Sequence, residues 1–203
     1  MSTPAKRRTD PERAQNRRNQ VLQAAAVCFA RSGFHAASMS EISKEAGMSA
    51  GHIYNYFDNK DAIIMAFVDL HAEDVLMKLG ELDSQEDPLQ SMIDGAPEHI
   101  NKHLDPQPTD LPLEMFAEAA RNPKIAEALR AADRKVGDRF RPIIKRERER
   151  RGLSVDEALL DGRIDTMVSM FQGLSIRVIQ RPHMNRDSLV EGWRVALKAI
   201  LLT

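Results

Sequence analysis

The chain has 203 residues, 42% hydrophobic and 29% charged, which suits a buried core under a hydrated surface and excludes a disordered polyelectrolyte. No stretch approaches the roughly 18 consecutive apolar residues of a membrane helix, so no membrane association is expected. Cys28 is the single cysteine, which excludes an intramolecular disulfide. With a basic N-terminus lacking the apolar segment of a secretory signal, the expected compartment is the cytoplasm. The net charge of −1 conceals an asymmetry. Residues 1–31 hold seven basic and two acidic side chains, a balance of +5; through residue 60 it is +4, which leaves −5 for the rest. A basic front on an acidic body fits a polyanionic partner, with a merely solvated tail as the plainer reading.

Helical periodicity runs through the chain, with no alternating strand pattern, so the expected class is all-α with about nine helices. Thr9, Pro11 and Glu12 read as the start of a first helix whose apolar positions Val21, Leu22, Ala25, Cys28 and Phe29 repeat at three and four until Gly33. Ser38 and Glu41 form a capping box for a short second helix with Ile42 and Ala46 inward, stopped by Gly47. Ser49 caps a third, from Ala50 to about Tyr56, with Ile53 inward. A fourth, long helix starts at Asn59 and ends near Gly80.

Beyond it, Asp87-Pro88 opens a helix reaching Leu104, weakened or bent at Gly95 and Pro97. The proline-rich stretch from Asp105 to Pro112 reads as a loop. A short helix through Leu113–Ala119 breaks at Asn122-Pro123, and a long one follows to Gly152, with a kink predicted at Pro142. Ser154 and Glu157 suggest a box for the next helix, about 155–180, and Asn185 a cap for the last, about 185–202. The expected domains are 1–60, joined through a helix at 60–80, and 61–203.

Residues 33–60 have the spacing of a helix-turn-helix: a short capped helix, a glycine turn, then a second short helix. The start of that second helix is small and polar (Ser49, Ala50, Gly51, His52), which suits entry into a major groove about 12 Å wide. Lys6, Arg7, Arg8, Arg17 and Arg18 precede or open the first helix and suggest a basic arm reaching the backbone or minor groove, against a solubilising tail.

The run Ile42-x-x-x-Ala46-Gly47-x-Ser49-x-Gly51-x-x-Tyr54-x-Tyr56-Phe57-x-x-Lys60 resembles the DNA-binding signature of the TetR family of transcriptional regulators. The likeness covers about residues 13–68; further on it rests on helical layout and on the stretch Glu118-Ala119-Ala120-Arg121-Asn122-Pro123. It implies an N-terminal three-helix DNA-binding domain, a C-terminal helical domain for ligand binding and dimerisation, and a homodimer on palindromic double-stranded operator DNA, released by a small-molecule effector. By the same resemblance His52 and Asn55 lie near base edges, and Ser49 and Gly51 where the backbone approaches DNA. Tyr54 and Tyr56 would meet phosphate and sugar, or a thymine methyl, while Lys60, Ser38 and Ser40 open helices where a phosphate fits. The plainer alternatives are that Ser38 and Ser49 only cap, that Tyr54 is partly core, and that His52 is merely solvated. The family's dimer interface uses the last two helices, which nominates Leu174, Trp193, Leu197 and Leu201 here.

The remaining signals are weaker. His99 and His103 share a helix face as metal ligands do, but no cysteine or intervening glutamate accompanies them, so no metal is expected. The run Lys145–Arg151 reads as a solvated face. No glycine-rich phosphate loop or nucleophile elbow is present, so neither an enzyme nor a cofactor is expected. Met92, Glu114, Met115, Glu118, Asp165 and Phe171 are candidates for an effector pocket. A buried carboxylate needs a partner, so the effector expected there is an amphipathic cation paired with Glu114 or Glu118. The rival is a neutral or anionic effector, with both glutamates on the surface.

Overall fold

The computed structural model describes residues 10–105 and 111–203, and those residues form ten helices and no strand. No helix among them is long and apolar enough to cross a membrane. In order they are α1 (Asp10–Ala36), α2 (Met39–Glu45), α3 (Ala50–Ile53), α4 (Lys60–Asp83), α5 (Pro88–Asp94), α6 (Ala96–Leu104), α7 (Pro112–Ala119), α8 (Pro123–Arg150), α9 (Glu157–Gln180) and α10 (Arg186–Leu202). Two compact units result. Unit 1 holds α1–α3, α4 through Val68, α7 and the start of α8 to Ala126; unit 2 holds the remainder from Asp69 and from Glu127.

Three boundaries differ from expectation. The helix expected over 88–104 divides at Gly95, because Pro97 has no N–H to continue the ladder. The third helix stops at Ile53 and continues as turns rather than running to Tyr56. At α9 the cap is Asp156, whose carboxylate accepts from Leu159 N–H at 2.9 Å, and not Ser154. Ser38 and Glu41 close both halves of their box, and Asn185 accepts from Ser188 N–H at 2.8 Å, while the cap expected at Thr9 lies outside the described residues. α8 runs through Pro142 as one helix.

Unit 1 is built on Val21, Ala25, Cys28 and Phe29 of α1, with Ile42, Ile53, Phe57, Ile63 and Ile64 buried beside them. In unit 2, α10 packs on α5, α6 and α9. Leu174, Trp193, Leu197 and Leu201, nominated as dimer contacts, are buried within this single chain as part of the unit 2 core. The physical reason is that α6 supplies a third wall: its His99, together with Phe171 of α9, closes on Trp193, with ring centroids 6.2 and 4.9 Å from the indole. What α9 and α10 leave exposed is Leu159, Ile176, Ile179 and Val195.

The run Lys145–Arg151 also departs from expectation, since Glu147 and Arg148 are buried. They extend the apolar stripe Phe140, Ile143, Ile144 by one turn. Arg148 donates to the carbonyls of Ser154 (3.0 Å), Leu201 (2.7 Å) and Thr203 (2.9 Å), and Arg163 donates to that of Ile200 (2.6 Å). Burial pushes the Arg148 guanidinium below the ordinary arginine value, and the nearby Arg163 adds to that shift. The negative end of the α10 dipole and its unpaired carbonyls take the place of a counter-ion. Arg148→Met should therefore strand buried carbonyls at a cost of about 1–3 kcal/mol. Calorimetry should record a fall in melting temperature of about 2–10 °C, and an unchanged melting temperature would show that α10 does not depend on this contact.

Candidate nucleic-acid interface

A four-residue helix cannot hold itself together in water, because nucleation costs more than one turn returns. α3 persists because its one apolar side chain, Ile53, is fully buried beside Ile42 while Ser49 accepts from His52 N–H at 3.3 Å. The preceding turn is fixed in two ways. Gly47 adopts φ 61°, which L side chains rarely take, and Gln20 of α1 donates to the carbonyl of Ala46 at 2.6 Å. Gln20 is a positioning residue that the sequence pattern did not flag, since a polar side chain on α1 carries no periodic signal.

With Ile53 spent inward, the opposite side of α3 is bare. Ser49, Ala50, Gly51, His52, Tyr54 and Asn55 are exposed, and Tyr56 is half-buried. A Cβ built on Gly51 would meet nothing within 4 Å, so the backbone there is open to close approach. The three polar side chains form a chain of contacts: Asn55 Nδ2 lies 3.4 Å from His52 Nδ1, and His52 Nε2 lies 3.3 Å from the Tyr56 hydroxyl. An Asn55 amide that donates to Nδ1 leaves the proton on Nε2, which can then donate to the Tyr56 oxygen and turn its O–H outward.

The basic residues divide. Lys6, Arg7 and Arg8 lie outside the described residues. Arg17 is exposed and donates to Gln20 at 2.8 Å. Arg18 sits over the Phe57 ring, 4.7 Å from its centroid. Lys60 donates to the carbonyls of Phe34 (2.6 Å) and His35 (3.1 Å) and lies over the Phe34 ring. Its ammonium therefore already has acceptors inside the protein. Ser38 is engaged in its box, and Ser40 is exposed.

The effector candidates separate into two groups. Met92 and Phe171 pack half-buried against the core of unit 2, and Asp165 is exposed on α9. Glu114, buried Met115 and Glu118 belong to unit 1. The two glutamates differ in how they are held, since Glu118 Oε2 is buried without a hydrogen bond among the described residues. The Glu114 carboxylate accepts from Phe34 N–H at 3.0 Å, and Glu118, 5% exposed, lies 3.0 Å from His35 Nε2. Met115 inward alternates with these two, so α7 grips the end of α1 through its polar side. His99 and His103 stack with centroids 4.3 Å apart, and no group of three or more candidate ligands for a metal occurs among the described residues.

Residues 21–67, which span α1 to α4, match the model of the bacterial regulatory proteins of the tetR family. The HTH-type transcriptional regulator UidR of Escherichia coli K12 is 31% identical over 121 residues, covering 58% of this chain and 59% of that regulator. TtgR of Pseudomonas putida is 36% identical over 87 residues, covering 42% and 41%. Among solved structures, Salmonella enterica GusR superposes with a TM-score of 0.76 at 24% identity over 98% of this chain and 100% of that one. FadR of Bacillus subtilis, solved in complex with stearoyl-CoA, gives 0.74 at 15% identity over 91% and 97%, a likeness of fold alone. Residues 21–67 thus carry a tetR-family helix-turn-helix, the chain as a whole shares the fold of these regulators, and it spans 59% of the length of the UidR regulator that it matches.

Proposed function

We propose that this protein is a homodimeric, cytoplasmic repressor that binds a palindromic operator and is released by a small-molecule effector. The observation that carries the reading is the bare face of α3, where His52, Tyr54 and Asn55 are exposed while Ile53 anchors the helix from behind. His52 and Asn55 read base edges; Tyr54, the Tyr56 hydroxyl and the backbone at Ser49–Gly51 meet the sugar-phosphate wall. His52→Ala should cost about 1–3 kcal/mol at one position of each half-site and relax discrimination there. Binding curves on a set of single-base operator variants measure this, and an equal loss on every variant would remove the base-reading role.

Lys6, Arg7 and Arg8 supply a sequence-independent term. Deleting residues 1–8 should weaken specific and non-specific binding alike. Each lost phosphate contact should change the slope of log K against log salt by about 0.9. A salt titration with an unchanged slope would refute the arm.

One helix-turn-helix reads too few bases, and a two-fold dimer presents two at about one turn of DNA, roughly 34–36 Å. Leu159, Gly162, Thr166, Ser169, Gly173 and Ile176 of α9 are exposed at alternating spacings of three and four, as are Ser188, Gly192, Val195 and Ala199 of α10. That is the spacing of a helix-packing seam, and its small residues admit close approach by another helix. Among the described residues nothing lies within 4 Å of a Cβ built on Gly162, Gly173 or Gly192. These seams, rather than the buried Trp193 and Leu197, are the proposed dimer surface. Ile176→Glu with Val195→Glu should give folded monomers with much weaker operator binding, and sedimentation that still reports a dimer at low concentration would exclude these faces.

FadR of B. subtilis in complex with stearoyl-CoA gives a precedent of the same fold for a bound small molecule. Release here requires that the effector bind the DNA-free state of the dimer better than the DNA-bound one.

A further inference from the structure

The ring of His99 lies in an aromatic cluster of unit 2. It packs at 4.4 Å and 84° to Phe171, at 4.3 Å and 35° to His103, and at 6.2 Å and 30° to Trp193, measured between centroids and planes. Its Nε2 is buried and has no hydrogen-bond partner. A buried nitrogen left unpaired is costly, and among the described residues of unit 2 only Arg194 Nε shares that condition. We propose that the His99–Phe171–Trp193 cluster is a binding site for a planar aromatic carboxylate, whose ring stacks on the imidazole and indole and whose carboxylate accepts a hydrogen bond from His99 Nε2.

Three features select that chemistry. The imidazole and indole planes lie within 30° of each other with centroids 6.2 Å apart. A flat ring in van der Waals contact with two parallel faces needs about 7 Å between them, twice a contact distance of ~3.5 Å, so these two rings must move apart to admit one. Phe171, half-buried and at 84° and 71° to the two rings, adds edge-to-face contact. The sign of the charge follows from the neighbours. Burial holds the imidazole neutral, with its pKa pushed down to about 4, and the charges that act on it are those of His103, Lys78 and Lys102, all cationic when protonated. A carboxylate accepting from Nε2–H therefore enters a favourable field, and a cation would not. The site names the ligand class for the effector reading above and rests on that reading only for what binding does at DNA.

Trp193 is the sole tryptophan, so its emission reports the site directly. The full chain is titrated with trans-cinnamate, its neutral isostere cinnamamide, and the non-planar anion 3-cyclohexylpropionate. Cinnamate should quench Trp193 saturably and bind about tenfold or more tightly than either control, as expected for a charge-assisted hydrogen bond combined with stacking. His99→Phe keeps the aromatic wall and should weaken cinnamate about tenfold; His99→Gln, which can still donate, should restore part of the loss. Lys78→Gln with Lys102→Gln, on exposed positions, should weaken cinnamate but not cinnamamide, and covers the case in which a His99 variant does not fold. Absence of saturable quenching at millimolar cinnamate, equal affinity for amide and acid, or an undiminished response in a folded His99→Phe would overturn the proposal. An operator gel shift run in parallel separates the two readings: quenching without release keeps the site and refutes its role as the effector site.

Discussion

Where α1 ends, the backbone passes through Gly33 at φ 75° and ψ 162°, and a single further turn is closed by Ala37 N–H on the Gly33 carbonyl at 3.2 Å. One isolated turn leaves bare N–H groups at its start and bare carbonyls at its end. Both ends are met by a charge of the right sign: the Glu114 carboxylate takes Phe34 N–H, and the Lys60 ammonium takes the carbonyls of Phe34 and His35. The Phe34 ring meanwhile packs at 5.3 Å on Phe29 and beneath Lys60. This small hub ties α1, α4 and α7 together, and α2 departs from it. The exposed face of α3 inherits its orientation from there, because α3 has only Ile53 and the Ser49 cap of its own.

The helix-turn-helix was legible because its determinants are local. Ser38 and Glu41 sit three apart, Ile42 and Ile53 are the apolar positions of very short helices, and Gly47 marks the turn; all act over a dozen residues. The tetR-family resemblance added which residues face outward, and His52, Asn55 and Tyr54 are exposed as that implied. Lys60 shows the limit of such carry-over, since a cation at a helix start suits either a phosphate or the carbonyls of a neighbouring turn, and only the folded backbone decides.

Elsewhere the deciding partners are distant in sequence. Glu114 and Glu118 invited a cation because buried acids need one, yet their partners are Phe34 and His35, some eighty residues earlier. Trp193 and Leu197 are nominated by the family's use of its last two helices as a dimer interface, and the surface that helps to bury them within the chain is α6. Arg148 lies in a run whose charges read as a solvated face, yet it continues the apolar stripe of Phe140, Ile143 and Ile144. In each case the pattern was visible while its tertiary complement was not.

The outer faces of α9 and α10 carry one more implication. Glycine within a helix is about 1 kcal/mol less favourable than alanine, and Gly162, Gly173 and Gly192 lie inside these two helices with open space beside them. In a dilute single chain nothing compensates that weakness. Amides around these three glycines are then expected to exchange more readily in the single chain than in a pair. Pairing with a second copy would protect the same amides by mass action, so the breathing of this region becomes a function of how many copies a cell holds.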